Sequence, residues 1–474
     1  MDLLVIVLYL GALAWIGKKT AGRVGTVEDF HLCGRSLGRV PAALSLAATE
    51  FSGSGLIGGA GLAYAVGLSG IYWNVVAVPA WILVGITVVV ALRKLSLDTV
   101  AGYLGRHYGI ATRRLVAMLQ IVEAIVFTAV QILVSAIVLS TLFGIDRTAA
   151  AALVTLSMVA YTVAGGLWAV VWADVLQYVI LMIGVLLAFL LGLHAVGGLD
   201  GLRAALPEHH LDLRRLGVME PLAWMALCVY SYSTDQGYLQ RAFAAADHRV
   251  ARFAYIFTGV NYLVFGVCVA GIGMIASVLL PGLLHQDEAL PALVNDVLPR
   301  GLKGFFVTAI LATTMSTGSS WLAAASSLLV QDVYQPLAGS PSVARLVGAS
   351  RIATLTTAAA ALLVALVTPG VVSAVVFSTL IAPAAVFAPL MLALYWNAAG
   401  PVRGFAAVLA GALAGVISQL FLYRTAAGIL GNLHPLFVGP SVGLVVFVVV
   451  ALLTRAASSG RRSPGAPRCT PGCP

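Results

Sequence analysis

The stretch Pro41–Gly67, PAALSLAATEFSGSGLIGGAGLAYAVG, decides how the rest of this chain is read. It is long and apolar enough to cross a bilayer, yet Glu50 stands in it as the single charged residue between Arg39 and Arg93. An acid at mid-membrane costs roughly 2.5–3.5 kcal/mol on insertion scales and belongs to a cavity or an ion path, not to a lipid-facing helix. Directly after it, Gly53, Gly55, Gly58, Gly59 and Gly61 interleave with Ser52 and Ser54 and weaken the helix where the acid sits. A helix broken at that depth releases backbone carbonyls and amides, which survive only against protein, water or an ion. The pattern is that of a membrane transporter.

Composition agrees. Of 474 residues 61% are hydrophobic and 9% charged, and mean hydropathy is +1.01, which excludes a water-soluble globule and gives a polytopic membrane protein. Thirteen apolar runs of spanning length follow one another: a first at 2–17, ten between 41 and 396, and two more between 402 and 454. The chain therefore reads as one transmembrane domain over 1–455, followed by a flexible Pro/Gly/Ser/Arg tail over 456–474.

Loops after the odd-numbered spans one, three, seven, nine and eleven, with the tail, hold 20 of the 27 basic residues, among them Lys18, Lys19, Arg93, Lys94 and Arg113. The remaining seven are Arg147, Arg203, Arg214, Arg215, Arg300, Lys303 and Arg424. This split predicts an external N-terminus and a cytoplasmic C-terminus in the cell membrane, and it accounts for the net charge of +9 without nucleic acid. The first run has Asp2 before it, Lys18-Lys19 after it and no small-residue cleavage pattern, so it is a retained span. Cys33, Cys228, Cys268, Cys469 and Cys473 are scattered and imply no disulfide framework; the tail pair Cys469 and Cys473 cannot complete a four-ligand metal site alone.

Taken in order, the third span carries Tyr72, Trp73 and Asn74 near its outer end, either an interfacial aromatic belt or part of a binding site. Glu123 and Gln131 share a face of the fourth span and act as glue between helices. After the two-glycine turn Gly165-Gly166, Asp174 is either a helix cap or a station for a cation leaving to the cytoplasm. His209 and His210 lie in a solvated loop. The seventh span breaks into polar residues at Ser231–Arg241, SYSTDQGYLQR, the second interrupted helix. The ninth span has no charge from Gly304 to Gln331, but Thr313, Ser316, Thr317 and Ser320 form one hydroxyl stripe, which by itself suits back-bonding and packing. Pro383 and Pro389 kink the eleventh.

Two interrupted helices five spans apart mark an inverted repeat, with halves over about 41–196 and 219–396 and sites at their midplane interface. At this point the chain resembles the sodium:solute symporter family. The resemblance rests on GRSLG (Gly34 to Gly38), AATEFSGSGLIGGAGLAY (Ala47 to Tyr64), YTVAGGLWAVVWADVLQ (Tyr161 to Gln177), DQGYLQR (Asp235 to Arg241) and ATTMSTGSSWLAAASSLLVQDVY (Ala312 to Tyr334). It implies an all-α fold with a LeuT-type 5+5 core and sodium-coupled uptake of a small solute by alternating access, with no enzymatic activity. Carried over by position, it implies sodium ligands in the carbonyls of Ala48, Phe51 and Thr313 and the hydroxyls of Ser316 and Thr317.

Candidate solute-binding residues are Glu50, Ser52, Ser54, Gly55, Tyr72, Asp235 and Gln236, with Tyr238 and Asp174 as candidates for a gate or ion exit. Ser54, Gly55 and Asp235 depart from the larger polar or amide residues of sugar-transporting members, which argues against sugar. Glu50 stands where proline-transporting members carry an aspartate, and with Asp235 it suits an amino-bearing or zwitterionic solute; monocarboxylates stay open. The competing readings are a proton-coupled carrier using Glu50 and Asp235, and a transporter-like membrane sensor, the latter disfavoured by a tail of under 20 residues after Arg455.

Overall fold

In the computed structural model the described residues are 2–297, 299, 302–339, 341–368, 382–397, 399–422 and 435–459. Among them the secondary structure is helical, save an isolated parallel bridge between Leu37 and Ala245. The first half of the eleventh span and the tail with Cys469 and Cys473 lie outside the described residues.

Helices fall on all thirteen expected runs. Before the first break come α1 (Asp2–Ala21) and α2 (Arg39–Glu50), and after it α3 (Gly59–Val66), α4 (Ala77–Ile86), α5 (Val88–Lys94), α6 (Val100–Phe143) and α7 (Arg147–Ala195). The second half holds α8 (Met219–Thr234), α9 (Gln236–Ala244), α10 (His248–Leu279), α11 (Leu302–Leu328), α12 (Val343–Val367) and α13 (Pro383–Trp396); α14 (Pro401–Ile417) and α15 (Pro435–Ser459) pack on each other and on α13. By length and composition alone, eight helical stretches qualify as spans among the described residues. One of these, α7, is two spans folded at Gly166, whose backbone is left-handed (φ +56°) and whose absent Cβ would stand 2.4 Å from the Phe30 carbonyl oxygen. Only glycine meets both conditions there.

Local chemistry sets the helix starts. The Thr99 hydroxyl accepts the Gly102 amide at 2.9 Å ahead of α6, and the Asp146 carboxylate accepts the Ala149 amide at 2.9 Å ahead of α7. Asp247 caps α10 through the amides of Val250 and Arg249, which hold its carboxyl below the usual range.

The centre of the fold is α11, in which every residue from Phe306 to Leu328 is buried. A helix enclosed on all sides needs no amphipathic stripe, and its sequence has none. It packs against α6 and α7, and small residues let it close in: at Gly184 of α7 a Cβ would come within 2.5 Å of the Ala309 Cβ. The broken helix packs along α10 with both halves, α2 also meets α7 and α11, and most of the Gly-rich stretch is buried.

Candidate sodium and solute sites at the two helix breaks

The break after Glu50 is a defined turn. Phe51 (φ −72°, ψ 66°) makes an inverse γ-turn in which the Ser52 amide donates to the Glu50 carbonyl at 2.6 Å, and the chain resumes as a π-helical turn over Ser54–Gly58 before α3. In an unbroken helix the carbonyls of Ala48, Thr49 and Phe51 would accept the amides of Ser52, Gly53 and Gly55. Here Ser52 has turned to Glu50, the Gly53 amide donates to the Gln131 side-chain oxygen at 3.0 Å, and the Gly55 amide donates to the Ser52 hydroxyl at 3.2 Å. All three carbonyls are released from the helix ladder.

The hydroxyl stripe of α11 meets them. Thr313 spends its own hydroxyl on the Ala309 carbonyl within its helix, as Thr308 does on Gly304. Ser316 and Thr317 instead reach across, donating to the Ala48 carbonyl at 2.7 Å and the Thr49 carbonyl at 2.9 Å, and both hydroxyls also lie within 3.2 Å of the Thr313 carbonyl. Four of the five residues expected to bind sodium thus converge. Phe51 is at the turn itself, its ring stacked 4.5 Å from Phe265. Thr49 joins the group unannounced, because which carbonyls a break frees depends on where its amides find other partners. The cluster is neutral oxygen throughout, a donor set suited to a hard monovalent cation.

Glu50 points away from this cluster into aromatic surroundings. It is 6% exposed and accepts a short hydrogen bond from the Tyr232 hydroxyl. Tyr232 stacks on Trp81 with ring centroids 3.9 Å apart, and Tyr238 meets Trp81 and Tyr232 edge-on at 5.5 and 5.3 Å. The second break lies alongside: α8 ends at Thr234, Asp235 is extended (φ −75°, ψ 127°), and α9 begins at Gln236. Asp235 is buried, with the Thr234 hydroxyl on Oδ1 at 3.0 Å and no hydrogen bond to Oδ2.

A profile of the sodium:solute symporter family matches residues 30–417. The chain belongs to that family. It is 28% identical over 470 residues to the high-affinity proline transporter of Bacillus subtilis, covering 89% of this chain and 94% of that one. It is 27% identical to the sodium/pantothenate symporter of Haemophilus influenzae over 464 residues (91% of each), and 25% identical to the human sodium/iodide cotransporter over 448 residues (88% of this chain, 68% of that one). The fold is similar to that of a Na+-coupled sialic acid symporter in a substrate-bound outward-open state, with a TM-score of 0.84, 20% identity and coverage of 95% of this chain and 98% of the other. The protein is a sodium-coupled symporter of a small solute, not an enzyme.

Other residues of the symporter fall on either side of this centre. Asp174 does not cap a helix: it lies eight residues beyond the Gly166 kink, where the Ser45 hydroxyl donates to it at 2.6 Å and Arg241 Nη2 at 3.2 Å, with both charged side chains fully buried. Arg241 also bonds the Ser320 and Ser45 hydroxyls and the Gly237 carbonyl. This ion pair joins α2, α7, α9 and α11. Gln236 donates its amide to the Asp98 carbonyl at 2.9 Å, toward the face bearing the basic loops. That face is further closed by Arg35, bonded to Glu28, Asp98 and the Leu97 and Phe243 carbonyls, and by Arg93 on the Ala245 carbonyl at 2.8 Å.

Contacts to the resuming helix come from the residues beside Tyr72. Trp73 Nε1 donates to the Ser54 carbonyl and Asn74 Nδ2 to the Gly55 carbonyl, both at 3.2 Å, while Tyr72 is half-buried and makes neither bond. Ser52 and Ser54 bond each other at 2.9 Å, and a Cβ on Gly55 would stand 3.0 Å from the Tyr262 hydroxyl. Toward the face opposite the basic loops, a cavity of about 960 Å³ lined by Arg147, His285, Asp287 and Asn295 reaches down to Ile57 and Val134. Trp81, Tyr232, Arg241 and Gln131 were not singled out for these roles from sequence; isolated aromatics or polar residues in apolar runs carry no signal of which break they will face.

Proposed function

We propose that this symporter takes up an amino-bearing or zwitterionic solute, bound between the two helix breaks beside Glu50 and Asp235 and coupled to sodium held by Ala48, Thr49, Phe51, Thr313, Ser316 and Thr317. The observation that carries the solute class is that Glu50 is buried at the first break and, among the described residues, forms no ion pair. A cationic group on the solute supplies the missing partner. On this reading Ser52, Ser54 and Gly55 contribute to the solute site, and Tyr238, packed against Trp81, Tyr232 and Trp321, acts as its gate, with the Asp174–Arg241 pair as the inner closure and ion exit. Tyr72 and Gln236 sit at its margins.

The orientation follows the basic loops: N-terminus outside, C-terminus in the cytoplasm, in the cell membrane, with the transport domain over 1–455. On that orientation the 960 Å³ cavity faces outward and the arginine-rich face is closed, one arm of alternating access. One sodium entering down a tenfold gradient at 100 mV supplies ~3.7 kcal/mol, or about 500-fold accumulation. The test is uptake into proteoliposomes, with and without an inward sodium gradient, across amino acids, betaines, monocarboxylates and sugars. Sodium-dependent uptake confined to amino-bearing solutes is expected; uptake confined to carboxylates without an amino group refutes the solute class.

A further inference from the structure

The helix α6 touches both breaks with one face. Gln120 donates its amide to the Thr234 carbonyl at 2.6 Å, where the seventh span is interrupted, and Gln131 accepts the Gly53 amide at 3.0 Å, where the second is interrupted. The two glutamines stand 11 residues apart, about 16 Å at 1.5 Å per residue. Between them on that face lie Phe127, stacked on Trp321 at 4.5 Å, and Glu123.

Glu123 is 0% exposed, and neither of its carboxyl oxygens has a hydrogen-bond partner. One turn away, the Gln120 side-chain oxygen is also buried and bare, as is Oδ2 of Asp235, the residue following the carbonyl that Gln120 holds. Four acceptor oxygens without donors are thus gathered where α6 meets the second break. Of the other buried acids, Asp174 has Arg241 and Asp332 has Arg113 at 2.7 Å, while Glu50, bonded to the Tyr232 hydroxyl, is the acid assigned above to the solute.

The charge acting on Glu123 is that of Asp235, and Asp235 also feels Glu50 on α2. The phenols of Tyr238 and Tyr255 face Asp235 from α9 and α10. Among the described residues no ion pair reaches either acid: α11 carries no charge from Gly304 to Gln331, Arg241 of α9 is engaged with Asp174 and Arg113 of α6 with Asp332, and Arg345 and Arg351 of α12 are exposed. A carboxylate with no hydrogen bond, Glu123, and one held by a single hydroxyl, Asp235, do not both stay charged in a low-dielectric interior; such a pair takes up a proton or a metal cation.

We propose that Glu123 and Asp235, with the Gln120 amide oxygen, form a second monovalent-cation site, taken by a proton or a sodium ion and separate from the sodium site framed by Ser316 and Thr317. Because α6 holds both breaks, occupancy here sets the relation between the halves of both interrupted helices.

The test uses purified full-length protein without solute, so it does not depend on the solute proposed above. Equilibrium binding of radioactive sodium and infrared difference spectra of protonated carboxyls are recorded on the wild type, Glu123→Gln, Asp235→Asn and Ser316→Ala. If sodium is the occupant, the wild type binds two ions per chain, and Glu123→Gln removes one while Ser316→Ala weakens the other. If a proton is the occupant, the wild type binds one sodium and shows a protonated-carboxyl band that both carboxamide variants lose. One bound sodium together with no protonated-carboxyl band in the wild type overturns the proposal, and this outcome needs no variant to fold. A band that survives both substitutions overturns it equally. Failure of Ser316→Ala alone to weaken sodium would count against the first site and leave the second standing.

Discussion

Replacing Ser316 by alanine removes one hydroxyl from the oxygen cluster at the first break and leaves the Ala48 and Thr313 carbonyls, now 2.7 and 3.0 Å from that hydroxyl, without it. With sodium bound, the loss is one ligand of a neutral set that must replace the ion's shed water. A neutral hydrogen bond's net worth, about 1 kcal/mol, sets the lower bound, a fivefold weakening; an uncompensated buried polar group sets the upper, about 3 kcal/mol or roughly 150-fold. The sodium concentration for half-maximal uptake should rise within that range for Ser316→Ala and for Thr317→Ala, whose hydroxyl serves the Thr49 carbonyl at 2.9 Å. Apparent solute affinity should fall too, since coupling between two ligands is reciprocal. The control is Ser326, buried on the same helix but bonded to the Ser350 carbonyl at 2.8 Å, away from the breaks. Ser326→Ala should lower thermal stability at most and leave sodium dependence alone. Equal shifts in sodium dependence at all three positions would mean that helix packing explains the hydroxyls, and the ion site would have to be sought elsewhere.

Glu50→Gln keeps a hydrogen-bonding group against Tyr232 but removes the negative charge beside the cluster; half-maximal uptake should need more sodium, and an unchanged sodium curve would leave Glu50 a structural part only. Arg241→Gln strands Asp174 as a buried unpaired charge, which should cost roughly 3–5 kcal/mol in thermal unfolding, with the Asp174→Asn partner change recovering much of it. If the single variant is as stable as the wild type, the pair is not ionised in the closed state. A reporter fused after Arg455 should be active only when it is of a kind that works in the cytoplasm; activity confined to an external reporter reverses the orientation.

Much of this was legible in the chain because the membrane imposes a strict rule: backbone groups must be satisfied within a helix, so an acid and a run of glycines inside an apolar stretch announce a break. Glu50 with Gly53 and Gly55 marked the first break, and Asp235 between Thr234 and Gln236 the second, each within a residue of where the helices stop. Residue spacing placed Ser316 and Thr317 on one side of α11, and a family resemblance turned that stripe into an ion site. Partners across the fold were beyond the sequence. That the Gly53 amide would go to Gln131 and so free Thr49, that Asp174 would find Arg241 and not a helix end, and that Asn74 and not Tyr72 would hold the Gly55 carbonyl are outcomes of how separate helices are rotated and set against each other. Periodicity fixes which residues share a face of one helix; only packing decides which other helix that face meets.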